Sequence, residues 1–196
     1  MILYFVSHNE HKIKEIQHLV PSSIQLLGLN DLGWTEEIEE TGDSLEENAL
    51  IKARAVFAKF HINCFAEDTG LEVAFLNGKP GVHTARYAAP RASATENINL
   101  LLKEMKNAEQ RQARFRTVIA LILSGEEYLF EGIINGNISK QSLGKNGFGY
   151  DPVFIPENYT MSFAELGEDI KNNISHRALA MEKLISFLKL RNKING

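Results

Sequence analysis

The sequence predicts an α/β fold on a mixed sheet flanked by helices, and three observations predict it. A short apolar run, Ile2 to Val6, passes through a polar turn into a helical pattern, the signature of a buried strand feeding a helix. Two apolar stretches, Phe115 to Leu123 and Tyr128 to Ile134, flank Ser124-Gly125-Glu126-Glu127 and read as an antiparallel hairpin. Elsewhere, apolar residues recur at helical spacing behind N-capping residues.

Taken in order, the first helix carries Ile13, Ile16, Leu19 and Val20 on one face, and Pro21 ends it. Ser7-His8-Asn9-Glu10-His11-Lys12 fills the turn between strand and helix. Free backbone N–H groups at a helix start make an anion site there, with Ser7, Asn9 and Lys12 as additional donors. A plain N-cap with a solvated lysine accounts for the same residues. Trp34 to Glu40 is an acidic connector broken by Thr41-Gly42. Composition alone gives Glu39 and Glu40 no role, because most acidic runs are solvated. Ser44 and Glu47 form a capping box for a helix with Ala49, Ala53, Val56, Phe57 and Phe60 on its apolar stripe; Lys52 and Arg54 lie off it.

Ala66-Glu67-Asp68-Thr69-Gly70-Leu71 follows an apolar approach. It reads as a buried strand delivering two adjacent carboxylates to its end, with Gly70 turning the backbone there. Such carboxylates are either a solvated surface turn or are satisfied by a metal or a cation. Asn77-Gly78 marks a hairpin-type turn, and Lys79-Pro80-Gly81 a second break before His83 to Tyr87. Ser93 and Glu96 box the start of a core helix bearing Ile98, Leu101, Leu102 and Met105.

Gly144-Lys145-Asn146-Gly147-Phe148-Gly149-Tyr150-Asp151-Pro152 is neither G-x-x-x-x-G-K-[ST] nor G-x-G-x-x-G. It is read two ways, as a loop that sets backbone and ring faces against a flat ligand or as a turn pinned by aromatic packing. The last helix starts near Asn173–Arg177, with Ser175 as N-cap and Ala178, Met181, Ile185 and Leu188 inward. His176 and Arg177 oppose the helix dipole in its first turn, which points to a polar partner.

A chain of 196 residues accommodates one sizeable domain, or one domain with two lobes, and no internal repeat or linker divides residues 1–196. Net charge is −4 without a basic block, so nucleic acid is not an expected partner and any polyanion must be met by a few placed cations. The opening apolar run is too short and lacks the basic start of a signal peptide, and no run reaches membrane-spanning length. The expectation is a cytoplasmic protein without membrane contact. Cys64, the single cysteine, lies in an apolar run and is expected to be a buried, inert thiol.

In combination these motifs resemble the inosine/xanthosine triphosphate pyrophosphatase family. The order is S-x-N-x-x-K, E-E-T-G-x-S-x-x-E-N-A-x-x-K-A, A-E-D-T-G-L-x-V, G-x-P-G-V-x-x-A-R-Y, G-F-G-Y-D-P-x-F and K-N-x-I-S-H-R-A, running from Ser7 to Arg177. The resemblance implies Mg2+-dependent hydrolysis of non-standard purine nucleoside triphosphates (ITP, dITP, XTP) to monophosphate and pyrophosphate. It also implies an elongated α/β fold with a mixed central sheet and two lobes, an active-site cleft between the lobes, and a homodimer.

By motif position, Ser7, His8, Asn9, Glu10, His11 and Lys12 resemble the triphosphate loop, with Lys52 and Arg86 as further phosphate contacts. Glu39 is the better match for the metal-binding glutamate, with Glu40 beside it. Asp68 resembles the general base and a metal contact, and Thr69 a substrate contact. Phe148, Gly149, Tyr150, Asp151, Lys171, His176 and Arg177 resemble the nucleobase pocket. One departure is His8, where the family commonly has glycine; a side chain there narrows the backbone's approach to phosphate.

A general base contributes roughly 10²–10⁴-fold, so most of the acceleration must come from Mg2+ and from lysines meeting the charge on pyrophosphate. Asp68, Glu39, Lys12 and Lys52 are therefore expected to converge. Hypoxanthine and xanthine present a 6-oxo acceptor where adenine presents a donor. A guanidinium has donors only, so Arg177 is expected to read that difference, with Phe148 and Tyr150 stacking on the ring. Two alternatives are action on other modified nucleotides and a non-catalytic nucleotide-binding role.

Overall fold

Among residues 1–194, which the computed structural model describes, seven strands make one mixed sheet. They are β1 (Ile2–Phe5), β2 (Gln25–Gly28), β3 (Cys64–Val73), β4 (Pro80–Gly81), β5 (Gln112–Leu123), β6 (Glu126–Ile138) and β7 (Phe154–Pro156). The order is β2-β1-β3-β5-β6-β7, with β4 paired to β3. The helices are α1 (Glu10–Leu19), α2 (Leu45–Phe60), α3 (Ala94–Glu104), α4 (Phe163–Leu166), α5 (Glu168–Ile174) and α6 (His176–Ile194). The chain divides into two compact units, one of Met1–Asp68, Thr117–Gly132 and the segment from Arg177 on, the other of Thr69–Arg116 and Ile133–His176.

In the first unit β1 pairs in parallel with β2 on one side and β3 on the other. Asn9 caps α1, its Oδ1 accepting from the amides of His11 and Lys12. Ser44 caps α2 through the Glu47 amide, but Glu47 Oε2 accepts from the Asp43 amide (2.8 Å), so the expected box is offset by one residue. One face of the sheet buries Leu3, Phe5 and Phe65 against Ile16 of α1 and Met181, Leu184 and Leu188 of α6. Phe5 and Phe65 stack at 4.8 Å. Ala49, Ala53 and Val56 of α2 are fully buried, and Cys64 Sγ donates to the Ala53 carbonyl at 3.4 Å.

Burial pushes the Cys64 thiol up to about 12. Since the thiolate is the nucleophile, the folded protein at neutral pH is expected to resist a thiol reagent and to react stoichiometrically once unfolded in urea. Rapid labelling of the native protein would contradict this burial.

The second unit packs Leu71, Val73 and Phe115 of the strands against Ile98, Leu101 and Met105 of α3 and Phe163 of α4. Phe154 joins Phe115 (4.7 Å) and Phe163 (5.4 Å). Ser93 and Glu96 form the predicted capping box.

The hairpin of β5 and β6 turns through Ser124 (φ 53°) and Gly125 (φ 85°), the doubly positive backbone of a tight two-residue hairpin. The predicted turn at Gly70 is absent: β3 runs unbroken from Cys64 to Val73, so Glu67 and Asp68 are mid-strand residues. Asn77-Gly78 does turn the chain, but after a short 3-10 segment, Ala74–Leu76, rather than between two long strands. Ser175 has extended backbone where α5 meets α6, at the predicted helix start. The sequence predicts neither β2, β4, β7, α4 nor α5, all of seven residues or fewer.

Candidate active site

After β1 the chain leaves through α1 to β2, then returns through α2 to β3 on the other side of β1. Connections that depart in opposite directions open a crevice at the carboxyl end of the strand between them, the position where open α/β sheets bind ligands. Ser7 to Lys12 follow β1 there. The Val6 amide donates to the Phe65 carbonyl (2.8 Å), which sets that loop beside Glu67 and Asp68.

Neighbouring side chains on a strand point to opposite faces, and this divides the two carboxylates. Glu67, 2% exposed, faces the side of α1 and α6. Its oxygens accept from Arg177 Nε (2.8 Å) and Nη2 (2.7 Å), and Lys12 Nζ lies at 3.1 Å. Arg177 Nη1 donates to Glu15. Burial alone would raise the Glu67 carboxyl, but Arg177 and Lys12 outweigh it and hold the group far below the usual carboxylate range. Burial likewise opposes the Arg177 charge, and Glu67 and Glu15 prevail. Contact between Arg177 and a base therefore requires these ion pairs to loosen, since the guanidinium is 1% exposed and directed at two carboxylates.

Asp68 faces α2. Lys52 Nζ lies 3.4 Å from its Oδ1 and 2.5 Å from Glu40 Oε1, and Asn48 Nδ2 donates to Asp68 Oδ2 at 3.4 Å. Asn48 Oδ1 accepts from the Gly42 amide (2.8 Å), which orients the amide so that its NH2 faces Asp68. A Cβ on Gly42 would stand 2.6 Å from Glu47 Cβ and 2.9 Å from Asn48 Oδ1, so the acidic loop docks this closely only with glycine there.

The two candidate glutamates are placed differently. Along residues 37–42 exposure alternates, with Ile38, Glu40 and Gly42 turned inward and Glu39 exposed. Glu40, not Glu39, therefore reaches the cluster around Asp68. Burial raises the Asp68 carboxyl, Lys52 opposes that rise, Glu40 adds to it and Lys12 lowers it; the net shift is upward. Asp68 and Lys52 are in contact, whereas the contact of Lys12 is with Glu67 on the other face of the strand, from which it lowers the Asp68 carboxyl at longer range.

Two carboxylates on one cationic centre suit Mg2+, which takes one or two protein carboxylates and completes its octahedron with water and phosphate oxygens. Among the described residues, no group of three or more His, Cys, Asp or Glu side chains forms a closed metal cage.

In the loop after β1, Ser7 Oγ accepts from the Asn9 amide (3.1 Å), and His8 Nε2 lies 3.2 Å from the Glu36 carbonyl. Glu10 and His11 start α1 and are exposed.

Within the second unit, Asp151 Oδ2 accepts from the Phe148 amide (2.8 Å) and from Lys171 Nζ (2.6 Å), and that ammonium sits 4.2 Å from the Phe148 ring centre. Gly147, at φ 79°, leaves room for the Asp151 carboxylate, which a Cβ would approach to 2.3 Å. Gly149 also has positive φ. Tyr150 departs from expectation. It is 3% exposed, packs in the core and donates its hydroxyl to the Thr84 carbonyl (2.9 Å), so it pins the loop and has no free face for stacking. Phe148 remains half-buried. His176 is buried and stacks on Phe115 at 4.6 Å. Thr69 is half-buried on β3, and Arg86 is half-buried at the end of a short 3-10 turn.

The profile of the Ham1 family matches residues 3–187. The chain belongs to the Ham1 family. Against this Ham1 chain, the Flavobacterium johnsoniae protein named dITP/XTP pyrophosphatase is 50% identical over 188 residues, covering 96% of this chain and 98% of that one. A Porphyromonas gingivalis protein of the same name is 49% identical over 187 residues, 95% and 96% of the two chains. The solved Staphylococcus aureus Ham1 protein superposes with a TM-score of 0.89 at 35% identity, covering 97% of this chain and all of that one.

Glu15 and Asn48 receive no role from sequence, and Glu67 reads only as a carboxylate beside Asp68, without its guanidinium partner. Strand alternation was the available signal for Glu67, because a ten-residue strand without a turn at Gly70 must send it opposite to Asp68. Glu15 and Asn48 carry no local signal; their partners lie 162 and 20 residues away.

Proposed function

We propose that this chain hydrolyses non-standard purine nucleoside triphosphates, ITP, dITP and XTP, to the nucleoside monophosphate and pyrophosphate. The observation that carries this reading is the cluster of Asp68, Glu40 and Lys52 beside the loop that follows β1, with Lys12 of that loop on the neighbouring Glu67. The names of relatives at about half identity support it.

Asp68 takes a proton from the water that attacks the α-phosphorus. Its upward shift suits that task, because a base works best with its pKa near the operating pH. Lys12 and Lys52 meet the charge that develops on the leaving pyrophosphate. Asp68 and Glu40 hold Mg2+, which when bound supplies charge neutralisation on the phosphate oxygens. Ser7 to His11 cradle phosphate, with Arg86 and Thr69 as further substrate contacts. Phe148 stacks on the base, framed by Gly149, Asp151, Lys171 and His176. The working state is a cytoplasmic homodimer, which sedimentation of the purified protein tests.

Pyrophosphate release from ITP, dITP, XTP, ATP and GTP, with Mg2+ and after chelation, tests the function. Expected are Mg2+-dependent release from the first three and a rate on ATP lower by roughly 10²-fold or more. In oxygen-18 water the label is expected in the monophosphate. Equal rates on all five would defeat the substrate assignment, and label in pyrophosphate would defeat attack at the α-phosphorus.

A further inference from the structure

We infer that His8 is a positioning residue, whose ring ties the loop after β1 to the acidic loop that presents Glu40. The inference rests on the reading of Glu40 given above, and it concerns a side chain that the family's usual glycine lacks.

His8 Nε2 lies 3.2 Å from the Glu36 carbonyl, and the Trp34 indole N–H donates to that same oxygen at 2.8 Å. A carbonyl only accepts, so the imidazole must carry a proton on Nε2, and the two ring N–H groups together fill the oxygen's two lone pairs. Residues 35–42 form no helix or strand, so side-chain ties determine where the loop lies.

Trp34 anchors one end on α2, with Lys59 Nζ 4.6 Å from its ring and Phe60 at 6.0 Å. Glu40 on Lys52 and the Gly42 amide on Asn48 anchor the other end. His8 fastens the Trp34 end of the loop, at the Glu36 carbonyl four residues before Glu40, to the segment proposed to cradle phosphate. The carboxylate at position 40 is thereby held in register with the phosphate loop. Glycine at position 8 has no group to make this tie.

Trp34 is the single tryptophan and hydrogen-bonds to the oxygen in question, so its fluorescence reads the tie without substrate or metal. The experiment compares the native chain with His8→Gly and with His8→Gln, whose amide nitrogen reaches as far as Nε2 and keeps a donor. Acrylamide quenching of Trp34 is expected to rise in His8→Gly and to return to the native value in His8→Gln. The Mg2+ concentration giving half-maximal pyrophosphate release from ITP is expected to rise about fivefold in His8→Gly, the scale that one hydrogen bond sets. It should recover in His8→Gln, with the melting temperature constant throughout. Native quenching in His8→Gly, an unmoved Mg2+ requirement, or a glutamine that restores neither overturns the assignment. A native chain that releases no pyrophosphate from ITP defeats the proposed function instead, and the Trp34 quenching then decides the tie.

Discussion

Replacing Arg177 with alanine is expected to lower the stability of the fold by about 3–5 kcal/mol, the range for breaking a buried ion pair from one side. Glu67 is 2% exposed and would keep its charge with Lys12 as remaining partner, while Glu15 would lose its guanidinium. Exposed pairs behave differently. Arg54 and Glu127 meet at 2.7 Å with side chains 56% and 38% exposed, so Arg54→Ala should cost less than about 1 kcal/mol. Urea denaturation of the two variants separates these outcomes, and similar small losses would refute the buried network.

The same pair sets an acid limit. Glu67 is depressed in the folded state from an ordinary value of 4.5, so its contribution is complete above that value and is lost as pH falls below it toward the folded-state pKa. Arg177→Ala should flatten this acid slope. Any change in preference between ITP and ATP in this variant must therefore be read beside its stability.

Asp68→Asn is expected to reduce turnover by roughly 10²–10⁴-fold while leaving the fold intact. Asp68 is the opposite case to Glu67. Burial of Asp68 is incompletely compensated, which is why its carboxyl is raised rather than lowered, so the ionised form weakens the folded state. A neutral isostere removes that strain on the fold and leaves Lys52 with Glu40. Stability should hold or rise, as happens where an active-site charge is kept at the expense of the fold. Nucleotide binding, followed by titration of Trp34 fluorescence, should survive.

Much of this was legible in the sequence because the signals are local. Capping residues at Asn9, Ser44 and Ser93 stand directly at their helix starts, and the Ser124-Gly125 turn announces its hairpin. The residues that gather at β1 were legible through motif order, which carries distant side chains together without needing coordinates. What escaped depends on facing. Glu39 and Glu40 look alike in sequence, and only the alternation of an extended segment turns Glu40 toward Lys52. Tyr150 looked like an exposed ring because glycines surround it, yet those glycines let the chain fold its ring into the core. Gly70 looked like a turn, but β3 runs on through it and pairs with β4 directly beyond, at Leu71 and Glu72.

On the proposed function, two carboxylates adjacent in the chain divide between two tasks, Glu67 bracing the fold through Arg177 and Lys12 and Asp68 performing the chemistry. Turnover on ITP and melting temperature, measured side by side for Asp68→Asn and Glu67→Gln, test that division directly. The expected result is an Asp68→Asn protein that melts no lower than the native chain yet releases pyrophosphate at least roughly 10²-fold more slowly, with Glu67→Gln melting clearly lower. An Asp68→Asn protein that turns over ITP within a few-fold of the native rate would contradict the account.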